Sequence, residues 1–253
     1  MSFNPKNILL TGASGQLGRA ICRSGKFKNI LTPTRIELDL TQSNSIRKYF
    51  ENHNFDAVLH AAALARVEQC QKEPARAIEA NLMGTCNLVL NVLEKEKKIR
   101  RLIRFIYIST DGVYASPKGH HSEEDATIPY NIYGWTKLGA ECAVNALTNF
   151  SIIRTRFFDS QNIKYNRYAT DSYTSSLPVE ELVSNINRLL NSDFVGTINI
   201  GGERKSDYER FKIHKPSIQP CTIEDILKKA VSPLSRDASL DCRLWKSVVK
   251  SQK

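Results

Sequence analysis

Tyr133 and Lys137, in the run Tyr133-Gly134-Trp135-Thr136-Lys137, stand four residues apart inside a strongly helical pattern and so share one helix face. A free phenol ionises at about pH 10, too high for easy proton exchange at neutral pH, and a cation held beside it stabilises the phenolate and lowers that value. The pair therefore offers an acid/base. By itself, however, a Tyr-x-x-x-Lys spacing arises by chance in many helices, and surface decoration is the ordinary alternative. The apolar run Phe105 to Ile108 supplies context, because it ends in Ser109-Thr110-Asp111 at the carboxyl edge where ligands of open α/β sheets bind. A hydroxyl at Thr110 can hydrogen-bond a substrate oxygen beside Tyr133; a turn-forming Ser-Thr-Asp cluster is the competing reading.

A second pattern opens the chain. The strand-like Asn7 to Leu10 runs into Thr11-Gly12-Ala13-Ser14-Gly15-Gln16-Leu17-Gly18 and then a helical stretch. Glycines at 12, 15 and 18 permit a tight turn, close approach of a pyrophosphate to amides at a helix N-terminus, and close packing of helix on strand. The spacing is GxxGxxG rather than GxGxxG, and three glycines at a strand end also have a purely structural explanation. About 20 residues further on, an NAD-selective site carries an acid for the ribose 2′-hydroxyl. This chain reads Leu31-Thr32-Pro33-Thr34-Arg35 there. Arg35, with Arg19 as a weaker candidate, can instead meet a 2′-phosphate, so NADP(H) is favoured over NAD(H); solvated surface arginines are the alternative.

Positioning these groups requires an alternating scaffold. Short, non-alternating runs of Ile, Leu and Val at 7–10, 29–31, 57–60, 105–108, 151–153 and 197–200 read as strands buried on both faces of a parallel sheet. Helical patterns fall between them at 17–24, 42–52 after Thr41 as N-cap, 74–94 opening with Pro74, 133–147 and 179–190. Right-handed crossovers then predict an α/β, Rossmann-like doubly wound sheet. The expected division is a dinucleotide-binding domain over 1–155 and a smaller C-terminal substrate lobe over 156–253, with the strand near 195–200 returning to the main sheet. After Ile153 the pattern weakens, and only short helical stretches such as 223–230 stand out.

Composition narrows the classes. The 253 residues are 41% hydrophobic and 25% charged, which is globular rather than fibrous or disordered. Formal net charge is +10, favouring anionic partners without naming one. The uncharged apolar block Ala57 to Ala65 is far shorter than the ~20 residues needed to span a bilayer, so no membrane segment is expected. The apolar run within Met1 to Leu10 is too short for a signal-peptide core, and a cytoplasmic protein is expected. Cys22, Cys70, Cys86, Cys142, Cys221 and Cys242 are scattered singly, without CxxC or a neighbouring His; reduced, mostly buried thiols and no metal site follow. The cluster Lys95, Lys97, Lys98, Arg100, Arg101 and Arg104 raises nucleic-acid binding, but Glu94 and Glu96 interrupt it and cations favour a helix C-terminus, so that reading is disfavoured.

Taken in order, TGASGQLG, LDLT at 38–41, HAAA at 60–63, Asn81 in EANLMGT, STDGVY at 109–114, YGWTK and IIRTRFF at 152–158 resemble the extended short-chain dehydrogenase/reductase superfamily. Within it, the resemblance is to the dTDP-4-dehydrorhamnose reductase-like, sugar-nucleotide-binding branch. It implies that Gly12, Gly15, Gln16, Leu17 and Gly18 hold a pyrophosphate, Asp39 and Leu40 line the adenine, and Ala62 and Ala63 follow the cofactor ribose. It further implies that Tyr133 protonates a sugar C4 carbonyl oxygen as a nicotinamide delivers hydride, that Lys137 binds the nicotinamide ribose and tunes Tyr133, and that Thr110 steadies the reacting oxygen. Asp111 and Phe157 would meet the substrate. Gly112, where a dehydratase would carry glutamate, disfavours dehydration, and Arg156 stands where a small residue is common in the reductases. The expected activity is NAD(P)H-dependent reduction of a nucleotide-linked 4-keto-deoxysugar. A nucleotide-sugar epimerase and a non-catalytic NADP-binding regulatory subunit, like the β subunit of methionine adenosyltransferase, are the alternatives. A nucleotide sugar is the expected partner, and a homodimer is left open.

Overall fold

The structure, a computed structural model, describes residues 5–114, 118–230 and 232–251; Met1 to Asn4 of the leader argument lie outside them. The first half runs β1 (Ile8–Thr11), α1 (Gln16–Arg23), β2 (Ile30–Leu31), α2 (Ser43–Asn52), β3 (Ala57–His60), α3 (Val67–Lys72) and α4 (Pro74–Ala77). A π-helical turn, Ile78–Met83, leads into α5 (Gly84–Ile99), β4 (Arg104–Ile108), a 3-10 turn (Asp111–Val113), α6 (Ile132–Val144) and β5 (Phe150–Thr155). Then follow β6 (Phe157–Phe158), β7 (Arg167–Ala169), β8 (Tyr173–Thr174), β9 (Leu177–Pro178), α7 (Val179–Leu190) and β10 (Gly196–Ile200). The chain closes with β11 (Lys205–Ser206), α8 (Asp207–Lys212), β12 (Gln219–Cys221), α9 (Ile223–Leu227), β13 (Asp237–Ala238) and α10 (Arg243–Lys250).

Six strands form one sheet in the order β10-β5-β4-β3-β1-β2, every neighbour parallel. All residues of β1, β3, β4 and β5 are buried, which is why they read as unbroken apolar runs. Leu17, Ile21, Leu182, Ile186 and Trp245 bring α1, α7 and α10 onto one face of the sheet. On the other face, Ile46, Phe50, Leu88, Val92, Ala140 and Val144 do the same for α2, α5 and α6. The fold is thus α/β and Rossmann-like. Strand order reverses between β1 and β3, so their carboxyl ends open the crevice where such sheets bind ligands.

The smaller lobe is made of short pairs, β6 with β9, β7 with β12, and β8 between β11 and β13. Its helices α8 and α9 each start in a capping box, Ser206 with Glu209 and Thr222 with Asp225. From the second half of the chain, α7, β10 and α10 return to the layers of the main sheet.

Several local expectations are corrected. The helix expected over 74–94 is broken by the π-turn at Ile78–Met83. Gln42, not Thr41, occupies the N-cap of α2, because the Thr41 amide and hydroxyl both donate to Asp39 Oδ1, at 3.0 and 2.8 Å. Three cysteines are buried, but Cys22 and Cys142 are exposed and Cys86 is half-buried. Part of the basic cluster serves the fold. Lys95 Nζ donates to the carbonyls of Phe50 and His53 at the end of α2, Arg101 pairs with Asp56, and Arg104 is fully buried. Among the described residues no helix is long and apolar enough to cross a membrane.

Candidate active site

At the crevice between β1 and β3 lies a cleft of about 670 Å³. Gly12 forms its floor with a φ of +78°, and a Cβ there would lie 2.6 Å from the Ala62 amide nitrogen, so both backbone conformation and space require glycine. A Cβ on Gly18 would come within 2.2 Å of the Gly12 carbonyl oxygen, which is why α1 can press so closely on the loop. Gly15 caps α1 without a side chain, donates its own N–H to Gly12 O at 3.0 Å, and leaves a first turn free of acidic residues. An uncapped helix start of this kind suits an anion. Leu17 itself is buried in the core, so only its amide could serve the loop.

Asp39, Leu40, Ala62, Ala63 and Arg35 all line the same cleft. Arg35 is largely exposed, its Nε 3.6 Å from Asp39 Oδ2. Asp39 is held below the usual carboxylate range, because Thr41 hydrogen bonds and Arg35 together outweigh the opposing effect of burial. Arg19 instead donates to the Ser14 carbonyl, bracing the loop. Thr11 and Arg76 also line the cleft and were not singled out from sequence. Arg76 is paired with Glu73 one helical turn away, a local salt bridge that gives no sequence signal of a site.

A buried relay sets the geometry between the cleft and the helices. Thr11 Oγ1 lies 2.7 Å from His60 Nδ1, and His60 Nε2 lies 2.9 Å from Thr85 Oγ1, which donates to the Asn81 carbonyl at 2.7 Å. Thr85 spends its proton on Asn81, so His60 Nε2 carries hydrogen and Nδ1 accepts from Thr11. Burial, with Lys137 adding, pushes His60 down to about 3 and keeps it neutral. Asn81, in the π-turn, accepts from Leu64 N at 2.7 Å and donates to Leu64 O and Thr136 Oγ1, tying the cleft wall to α6.

Beyond that wall, α6 carries Tyr133 and Lys137. Asn131 caps it by accepting from Gly134 N at 2.9 Å. A Cβ on Gly134 would lie 2.5 Å from the Gly112 carbonyl, so this glycine lets α6 rest on the turn after β4 and brings Tyr133 to Thr110. Thr110 Oγ1 accepts from Gly112 N at 3.0 Å and faces the Tyr133 phenol. Lys137 is buried with Nζ 4.0 Å from the centre of the Tyr107 ring. Burial, helped by Asp111 and Cys70, raises the phenol, against smaller opposing effects of Arg156 and Thr110. Burial likewise pushes Lys137 down to about 7, with Glu141 pulling the other way.

Asp111 is buried, and its Oδ2 accepts from Arg156 Nε at 2.6 Å. Phe157 turns away from this pair and packs on the core under α7, while Phe158 points to the α8 side, 5.1 Å from Phe211. Period-two alternation explains the offset: a strand residue next to Arg156 faces the opposite side.

Residues 6–167 match the family described as RmlD substrate binding domain. The chain belongs to that family. Among curated relatives, a dTDP-4-dehydrorhamnose reductase from Mycolicibacterium smegmatis is 32% identical over 145 residues, 56% of this chain and 42% of the relative. The methionine adenosyltransferase 2 subunit beta of Mus musculus is 30% identical over 149 residues, 55% of this chain and 42% of the relative. Matches to the first curated relatives span about half of their length. The solved dTDP-4-dehydrorhamnose reductase from Bacillus anthracis in complex with NADP superposes with a TM-score of 0.80 over 97% of this chain and 98% of that one, at 22% identity. The RmlD-family fold therefore extends across the smaller lobe, beyond the matched residues.

Proposed function

We propose that this RmlD-family chain is an NADPH-dependent reductase of a nucleotide-linked 4-keto-deoxysugar, of the dTDP-4-dehydrorhamnose kind. The observation that carries the reading is the facing of the Thr110 and Tyr133 hydroxyls, with Lys137 one turn on, beside a glycine-floored cleft. A dinucleotide fits the cleft residues. The Gly12 position has no room for a Cβ, the α1 start is uncapped, no acid stands at 31–35, and Arg35 lies at the wall with a free guanidinium face for a 2′-phosphate. The similarity to a solved reductase bound to NADP supports the same choice. Bound there, a reduced nicotinamide supplies hydride. Residues up to 155 would hold the dinucleotide and the smaller lobe the sugar.

In this reading the Thr110 hydroxyl, which donates to Asp111 Oδ1 at 3.2 Å, turns its proton to the reacting carbonyl oxygen when substrate binds, and Tyr133 gives that oxygen a proton. A phenol raised above its ordinary value stays protonated through the working pH range, which suits a donor. Lys137 keeps a positive charge under the reacting end and holds the cofactor ribose. The similarity to methionine adenosyltransferase 2 subunit beta favours a second reading, a dinucleotide-binding subunit without turnover.

Absorbance loss with NADPH and dTDP-4-dehydrorhamnose tests the first reading. Turnover is the expected result; NADPH binding without turnover, together with co-purification of a metabolic enzyme, selects the second. A pH profile adds a sharper check. Lys137, at about 7 in the free protein, loses its proton as pH rises through that value. The kcat/KM for NADPH, which reports groups of the free enzyme, should therefore fall above about pH 7 with a one-proton slope. A flat profile from pH 6 to 9 counts against a charged Lys137 in the mechanism.

A further inference from the structure

Lys137 is a buried cation that meets an aromatic ring where a carboxylate or carbonyl would be expected. It is 2% exposed, and among the described residues no oxygen hydrogen-bonds to its ammonium or pairs with it directly. Nζ instead lies over the Tyr107 ring, 4.0 Å from its centre. Lys95 gives the contrast. Its Nζ is 5.0 Å from the Phe55 ring but donates to the carbonyls of Phe50 and His53, so the ring there is incidental. Tyr107 comes from β4 on the sheet face that carries α6 and is fully buried, with the His60 ring 5.4 Å away. Its hydroxyl makes no hydrogen bond to the ammonium, so the contact is with the negative face of the ring.

The groups around Lys137 leave the ring a share of the work. Glu141, one turn along α6, favours the charged lysine from a distance, but its carboxylate is taken by Arg154 from β5 and Ser109 at the end of β4. Asp111, in the turn after β4, is paired with Arg156. His60 on β3 is pushed down to about 3 and is neutral. Burial raises the phenols of Tyr107 and Tyr133 and the thiols of Cys70 on α3 and Cys86 on α5, so these four are uncharged at neutral pH. A desolvated ammonium over a tyrosine face keeps its proton about one pH unit longer than it would without the ring. Resting on the reading of Lys137 as the cation that holds the cofactor ribose, we propose that Tyr107 is a positioning residue for Lys137: its ring face seats the ammonium, keeps it charged, and leaves its N–H groups to the ribose.

The test is Tyr107→Phe, followed by phenylalanines with one, two and three ring fluorines at the same position, which drain the negative face while the ring keeps its shape. Two quantities are followed against pH: kcat/KM for NADPH and, without turnover, NADPH affinity by fluorescence. Both fall as Lys137 loses its proton. Tyr107→Phe keeps the face and should leave the fall where the unaltered protein has it. Each fluorine should then move it to lower pH, by about one pH unit over the series, which is about tenfold less charged Lys137 at about pH 8. Ring shape is kept throughout, so a purely structural role for Tyr107 would leave the fall in place. A fall that does not move with fluorination, or that moves by the full amount in Tyr107→Phe, overturns the inference, while turnover of the keto sugar by the same proteins leaves the reductase reading standing. An affinity profile that moves with fluorination in a protein without turnover supports the inference and overturns the reductase reading. NADPH affinity that is flat with pH in the unaltered protein overturns the inference, and absence of NADPH binding overturns both.

Discussion

Replacing Tyr133 with phenylalanine is expected to cut reduction of the keto sugar by about 100- to 10,000-fold, the usual worth of a positioned general acid. That is about 3 to 5 kcal/mol of barrier. The ring stays, so the packing of the first turn of α6 on Gly112 stays, and that contact depends on Gly134 rather than on the phenol oxygen. Thermal stability and NADPH affinity should therefore change little. The hydroxyl is the only group lost, and no neighbour can take over its task. Thr110 is an alcohol whose oxygen already accepts from Gly112 N, and the Lys137 ammonium lies over the Tyr107 ring. Turnover within about threefold of the unaltered protein, at matched NADPH occupancy, would show that the proton comes from elsewhere, since a donor's loss costs at least ~100-fold.

The parts of this site that were legible in the sequence are those whose constraint is local. Strands buried on both faces announce themselves as short apolar runs, and β3 lies where expected, over 57–60. Gly12 and Gly18 were visible because a turn and a close helix approach each exclude a Cβ. Long-range constraints were not visible. The run Ile78–Met83 contains neither glycine nor proline, and its π-turn coincides with Asn81 bonds to Leu64 and Thr136, 17 and 55 residues away. The upward shift of Tyr133 comes first from burial and then from Asp111 and Cys70, neither of which is near it in sequence. For Phe157 and Phe158, a one-residue alternation decides which ring faces the core and which faces α8. Glu141, one turn beyond Lys137 on the same helix face, was the signal within reach that went unread.

Glu141 also sets the second large effect: replacing it with leucine is expected to lower stability by about 3 to 5 kcal/mol, because it strands a buried charge. Glu141 and Arg154 are both buried, with Arg154 Nη2 2.7 Å from Glu141 Oε2 and Nε 3.2 Å from both carboxylate oxygens. Ser109 donates to the same carboxylate, and Arg154 Nη1 donates to the Tyr114 hydroxyl at 2.8 Å, which passes a hydrogen bond to Asn199 at 3.1 Å. The network thus bolts α6 to the carboxyl ends of β4, β5 and β10. Arg154→Met should cost a similar amount. The double substitution should cost clearly less than the sum, since no isolated charge remains and only Ser109, Tyr114 and the Glu123 carbonyl lose a partner, at about 1 to 3 kcal/mol for each group left unmet. Urea denaturation of the four proteins reads this coupling directly, and strict additivity would sink it. A functional readout separates the ion pair from bulk stability. Glu141 is the charge that resists the downward shift of Lys137, so the milder Glu141→Gln should let burial push that ammonium further below about 7. The falling limb of the kcat/KM profile then moves to lower pH, in the folded protein and with Tyr133 and Thr110 untouched. A limb that stays where it was would mean that Glu141 only holds the helix in place.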